Sequence, residues 1–95
     1  ALAVLDRHGV TGAEADGLRG GVLTQLGDFT RARGAYDSAV RQQPGQPMWW
    51  FGLAVALDGE GKAPMARQAY ARAQALGLPR ADLAAYASQR LAALD

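Results

Sequence analysis

The sequence predicts an all-α fold of repeated helical hairpins, and three observations carry that expectation. Gly27, Ala32, Tyr36 and Ala39 return as Gly61, Ala66, Tyr70 and Ala73, each displaced by 34 residues. A fixed spacing of that length marks a unit that cannot bury its apolar face alone and stacks on its neighbours. Alanine is the commonest residue, isoleucine is absent, and valine and threonine are scattered. That composition favours helix and lets helices approach closely. Nothing alternates with a period of two over the length of a strand.

The elements follow in order from their start and stop signals. Leu2 to His8 read as the end of a helix, stopped by Gly9 where a left-handed turn is needed. Thr11 and Glu14 have capping-box spacing, so a helix is expected from Gly12 or Ala13 to about Leu26. It contains Gly17, Gly20 and Gly21, each costing about 0.5–1 kcal/mol relative to alanine. Three in one helix imply either local weakness or a neighbour pressed against the backbone. Gly27-Asp28 breaks the chain, and Asp28 or Thr30 can cap the next helix, expected over Phe29 to Gln43. Pro44-Gly45-Gln46-Pro47 closes it.

The following stretch, Met48 to Asp58, is apolar on nearly every side: Met48, Trp49, Trp50, Phe51, Leu53, Val55 and Leu57. A helix of that kind is sandwiched between others or holds a ligand. Gly59 and Gly61 end it. Pro64, tolerated in a first turn, opens a helix to about Leu76, ended by Gly77-Leu78-Pro79. Asp82 is expected to cap a final helix to about Leu94, with Leu83, Ala87, Leu91 and Leu94 along one stripe. Its polar opposite side suits a cap that faces water.

With 95 residues, the chain makes one small domain near the lower limit for an independent core. A net charge of +1 with interspersed signs sets up no field that singles out nucleic acid or anionic lipid. No apolar run approaches the roughly 18 residues a membrane span needs. Cysteine is absent and His8 is the one histidine. A nucleophile–base triad or zinc site therefore cannot be assembled from the usual ligands, and no catalytic residue, metal or cofactor is expected. The start at Ala1 reads as a piece of something longer.

On these residues the chain resembles the tetratricopeptide repeat (TPR) family. Gly20, Leu23, Gly27, Ala32, Tyr36, Ala39 and Pro44 match the family's large and small core positions in a first unit. Trp50, Leu53, Ala54, Leu57, Gly61, Ala66, Tyr70 and Ala73 match them in a second, with Pro79 one residue past the usual proline. Asp16 and Arg19 stand where the family has an aromatic and a leucine. The first unit is therefore expected to start short or frayed, or to be covered by Leu2 and Leu5. The implied fold is an α–α superhelix in a single domain over residues 1–95. Residues 1–9 end a preceding helix, 13–46 and 47–80 are the two repeats, and 81–95 are a capping helix.

A second resemblance rests on Gln43-Pro44-x-x-Pro47-x-Trp49-Trp50 and on Tyr86-x-x-x-Arg90-Leu91. These runs are similar to the C-terminal repeats of bacterial type IV pilus biogenesis proteins of the mannose-sensitive haemagglutinin system. There such repeats follow a membrane anchor, lie in the periplasm and assist pilus assembly. A periplasmic part of a membrane-anchored protein is what this resemblance implies, with a cytoplasmic location the other possibility.

By the family's geometry, the first helix of each hairpin lines a concave groove. The positions expected there are Glu14, Gly17, Leu18, Gly21 and Thr24, then Met48, Phe51, Val55 and Asp58, then Asp82, Ala85, Tyr86 and Gln89. Leu18, Met48, Trp49, Phe51, Val55, Tyr86 and Gln89 are the expected partner-binding residues. Trp50 is expected in the core, while Trp49 either fills a gap or makes an exposed contact. Asp58 and Glu60, near a turn, are expected to meet water, as are the arginines on the second helices. The groove lacks the lysine and asparagine cluster with which some family members clamp a chaperone's C-terminal carboxylate.

The expected function is a non-catalytic scaffold that holds a peptide or helix of a protein partner, without nucleic acid or direct membrane insertion. The alternatives are a self-association module, using apolar edges at Leu2, Leu5 and Leu18, or a helical domain binding a small molecule or lipid. The last requires a closed apolar cavity beside Phe51 and Trp49.

Overall fold

A computed structural model describes residues 12–95. The expected helix end at Leu2–His8, its stop at Gly9 and the cap at Thr11 lie outside the described residues. Five helices follow one another: α1 Gly12–Gln25, α2 Phe29–Gln42, α3 Pro47–Gly59, α4 Ala63–Leu76 and α5 Ala81–Leu94. No strand occurs among the described residues. The all-α hairpin architecture is the one the 34-residue spacing predicts.

The two hairpin turns are built alike. After α1, Gly27 takes φ 80° and the Asp28 N–H reaches back to the Leu23 carbonyl at 2.9 Å. After α3, Gly61 takes φ 79° and the Lys62 N–H bonds the Leu57 carbonyl at 3.0 Å. Only glycine adopts that left-handed conformation without strain, and the back-bond satisfies a carbonyl the helix end would leave open. Of the two candidate caps for α2, Asp28 serves: its carboxylate accepts the Arg31 N–H at 3.3 Å. The cap expected at Asp82 is not formed. Arg80 holds the N-cap position of α5 with no side-chain bond, and Asp82 sits in the first turn. There its carboxylate accepts both Nε and Nη2 of Arg80, at 3.1 and 2.7 Å.

Each helix packs on the next, and α3 also packs on α1. The helix that is apolar all round is thus the sandwiched one, as its composition requires. The main core joins Val40, Leu53, Ala54, Leu57, Ala66, Ala69, Tyr70 and Ala87, and a second small cluster holds Leu23, Ala32 and Ala56. Alanine dominates both, so close helix approach rather than bulky side chains excludes water.

The glycines of α1 mark a neighbour pressed close, the second of the two sequence-based readings. A Cβ on Gly17 would overlap the Trp49 ring, and one on Gly20 would lie 2.7 Å from Tyr36 Cε2. Nor does α1 start short. It is helical from Gly12, and the polar residue at position 16 has its own role. Asp16 accepts Arg19 Nη2 at 2.8 Å, and Ser38 Oγ and Gln42 Nε2 at 2.7 Å each. Where Trp50 packs in the second hairpin, a hydrogen-bonded clasp between α1 and α2 stands in the first.

Candidate functional site

The face shared by α1, α3 and α5 carries two adjoining depressions, both lined by Val55. The first, of about 310 Å³, is lined by Gly21, Thr24, Gln25, Tyr36, Met48, Trp49, Phe51, Gly52 and Val55. The second, of about 250 Å³, is lined by Phe29, Val55, Asp58, Gly59, Tyr86 and Arg90. Both are open to solvent. The depression beside Phe51 and Trp49 is thus an open one.

Of the seven expected partner-binding residues, Met48, Trp49, Phe51 and Val55 come together in the first depression. Tyr86 lines the second. Gln89 is exposed on α5 but lines neither. Leu18 also lines neither and sits instead on an exposed stripe of α1. Gln25, Phe29, Gly52, Gly59 and Arg90 line the depressions without having been expected there. Tyr36, expected at a core position, packs against the main core with its ring half-buried and also lines the first depression. Its position 34 residues before the buried Tyr70 hid that difference.

The walls are fixed by bonds on their far sides. Trp49 lies over Gly17 and donates its indole N–H to Gln43 Oε1 at 2.8 Å. Trp50 points elsewhere, as adjacent helix positions must. It donates to the Pro44 carbonyl at 2.8 Å and carries the Arg72 guanidinium 5.8 Å from its ring centroid. Phe51, Tyr70 and Tyr86 form a triangle of edge-to-face rings with centroids 5.9–6.2 Å apart. Phe51 is accordingly both a groove wall and a packing element.

The acids at the end of α3 do not meet water as expected. Asp58 and Glu60 side chains are only 15% and 9% exposed. Asp58 accepts Arg90 Nε at 2.7 Å, Arg90 Nη2 at 2.9 Å and the Tyr70 hydroxyl at 3.0 Å. Glu60 accepts Arg33 Nε at 2.6 Å and Thr30 Oγ1 at 3.0 Å. The turn after α3 thus reaches forward to α4 and α5 through one carboxylate and back to α2 through the other. Local sequence showed only two acids beside glycine; their partners lie 12 to 32 positions away.

These contacts set the protonation of the site. The Arg90 guanidinium holds the Asp58 carboxyl below the usual carboxylate range, against the opposing effect of burial. Burial pushes the Tyr70 hydroxyl well up, with Tyr86 and Asp58 adding to the shift. Tyr36 is raised by burial too, and its hydrogen bond with Thr24 works the other way. Among the described residues, no group of three or more His, Cys, Asp or Glu is placed to hold a metal ion. No helix among them is long and apolar enough to cross a membrane.

A family model described as tetratricopeptide repeat matches residues 18–86, well over half of the chain. No curated protein matches the chain. The match runs from α1 into α5 and so covers both hairpins and the face with the two depressions. The chain belongs to the tetratricopeptide repeat family, whose repeats generally act as non-catalytic scaffolds for protein–protein interaction.

Proposed function

We propose that the face formed by α1, α3 and α5 binds an amphipathic helix or extended peptide of a protein partner. On this reading residues 13–46 and 47–80 act as the two repeats of one binding module, and 81–95 cap it. One observation carries the proposal. Met48, Trp49, Phe51 and Val55 converge with Tyr36 on an open trough of about 310 Å³, large enough for one or two bulky apolar side chains. Thr24 and Gln25 at its rim supply polar groups that can orient a backbone. Arg90 is largely committed to Asp58, which favours an apolar anchor over a carboxylate in the adjoining depression.

The parent protein on this reading works in assembly of a bacterial envelope machine such as a type IV pilus, with this segment in the periplasm. The Gln43-to-Trp50 and Tyr86-to-Leu91 runs support that assignment. The test is affinity capture from envelope extracts, comparing the chain with Gln25→Trp, which fills the trough from its exposed rim, and Met48→Ala. Circular dichroism confirms that each variant folds. A pilus-assembly protein captured by the chain and lost from Gln25→Trp is the expected result. A partner retained by both folded variants moves the binding site off this face.

A further inference from the structure

α5 is held differently from the other helices. Ala87 is its one buried residue, whereas each of α1 to α4 buries four or five. Apart from Ala87, every residue of the main core lies on α2, α3 or α4, so that core outlasts the loss of α5. α5 packs on α4, and Tyr86 and Arg90 carry it across to Phe51 and Asp58 on α3. Its start is not pinned: Arg80 at the N-cap makes no capping bond, and Pro79 and Arg80 are exposed. We propose that α5 is a hinged wall of the second depression, swinging away as a unit about Pro79 and Arg80 while α1 to α4 stay folded. The Asp58–Arg90 pair is the clasp that seats it.

A segment opens on its own when few apolar contacts and solvent-accessible hydrogen bonds hold it. The other polar ties of α5 fit that description. Gln74 Nε2 donates to the Ala84 carbonyl at 3.2 Å and to Ser88 Oγ at 2.8 Å, and Arg67 Nη1 to the Leu94 carbonyl at 3.4 Å. The clasp differs in kind, a two-pronged charged bond at 2.7 and 2.9 Å. Breaking it strands no buried charge. The Arg90 side chain is already 34% exposed, and Asp58 keeps the Tyr70 hydroxyl at 3.0 Å. What opening does remove is one side of the second depression, since Tyr86 and Arg90 leave together. On the binding reading above, an occupant of that depression favours the seated state, because it touches both.

The chain has no cysteine, so single thiols report the opening without any partner. Ala87 and Ala32 are both 0% exposed, and Ala32 belongs to the small cluster that holds no residue of α5. Ala87→Cys and Ala32→Cys are each labelled with iodoacetamide under native conditions, where slow labelling tracks the population of the open form. Ala87→Cys should react about tenfold faster or more, because it needs only α5 to open. Adding Arg90→Gln should speed it a further three- to tenfold, roughly what a partly solvated charged bond contributes. Adding Asp16→Ala, which breaks the ties between α1 and α2, should speed Ala32→Cys and leave Ala87→Cys within about twofold. Equal rates at the two thiols, equal acceleration of both by Asp16→Ala, or no effect of Arg90→Gln overturns the proposal. If circular dichroism shows a cysteine variant unfolded, hydrogen exchange of the cysteine-free chain decides with the same two substitutions. Exchange in α5 that is faster than in α3 and unmoved by Asp16→Ala supports the hinge. Exchange raised alike in α2 and α5 overturns it. A negative result leaves the binding reading standing, since no partner is present.

Discussion

Tyr70 donates its hydroxyl to Asp58 Oδ2 across 3.0 Å, joining the middle of α4 to the end of α3. The equivalent positions 34 residues earlier are Tyr36 and Thr24, which both line the first depression. In the second hairpin the position of Thr24 is held by an anion, which has recruited Arg90 from α5. One tyrosine site thereby secures the last helix of the chain.

Replacing Tyr70 with Phe removes that bond and should cost about 1–2 kcal/mol at pH 7. The pH dependence is more diagnostic. The folded-state pKa of Tyr70 is raised, so the native protein holds a proton that the unfolded chain releases above about pH 10. Stability should therefore be intact below that value and fall as pH rises above it, by at most about 1.4 kcal/mol per pH unit. Urea unfolding between pH 8 and 11 should show a shallower decline for Tyr70→Phe, with a residue left by Tyr36. An unchanged slope would mean that Tyr70 ionises freely in the fold.

Asp58 works at the acid end. Arg90 lowers its folded pKa, so its contribution is complete above about pH 3.9 and is lost as pH falls through the lower folded value. Asp58→Asn should lose about 1–2 kcal/mol at neutral pH, a modest figure because Arg90 remains partly solvated. The variant should then show a flatter acid limb than the parent. Chemical unfolding at pH 7, 4 and 3 measures both.

The helix glycines divide into two kinds. A methyl on Gly17 or Gly52 would run into the ring of Trp49 or Tyr36, whereas one on Gly34 meets nothing within 4 Å. Gly34→Ala should stabilise the protein by about 0.5–1 kcal/mol through helix propensity. Gly17→Ala and Gly52→Ala should destabilise it by about 1–3 kcal/mol, the usual cost of overpacking. Thermal unfolding midpoints should move in opposite directions. A stabilising Gly17→Ala would show that Trp49 does not rest on α1 in solution.

Phe51→Ala should not act as a clean binding variant. The ring meets Tyr70 and Tyr86 edge to face, so its loss should cost about 2–3 kcal/mol, below the range for a fully buried aromatic. A lowered thermal midpoint should accompany any loss of partner binding. Unchanged stability would return Phe51 to a purely contacting role.

The 34-residue spacing made the helices, both glycine turns and the Tyr36–Tyr70 correspondence legible before any coordinates. Those features depend on backbone conformation and on neighbours within a few positions, which local sequence encodes. The clasp at Asp16 shows the limit: aligning it with Trp50 marks a departure, but its partners Ser38 and Gln42 lie on the next helix. The same holds for Asp58, which sits beside a glycine turn yet meets Arg90 rather than water.

By itself, then, the sequence determined the helical class, the hairpin register and the glycine turns, because each follows from short-range propensity and a fixed period. Tertiary structure alone decided that Trp49 lies over Gly17, that Asp58 ties α5 to α3, and that Leu18 leaves the trough while Tyr36 joins it. Those outcomes hang on how one helix crosses the next. Periodicity says which residues share a helix face, and only packing says what that face touches.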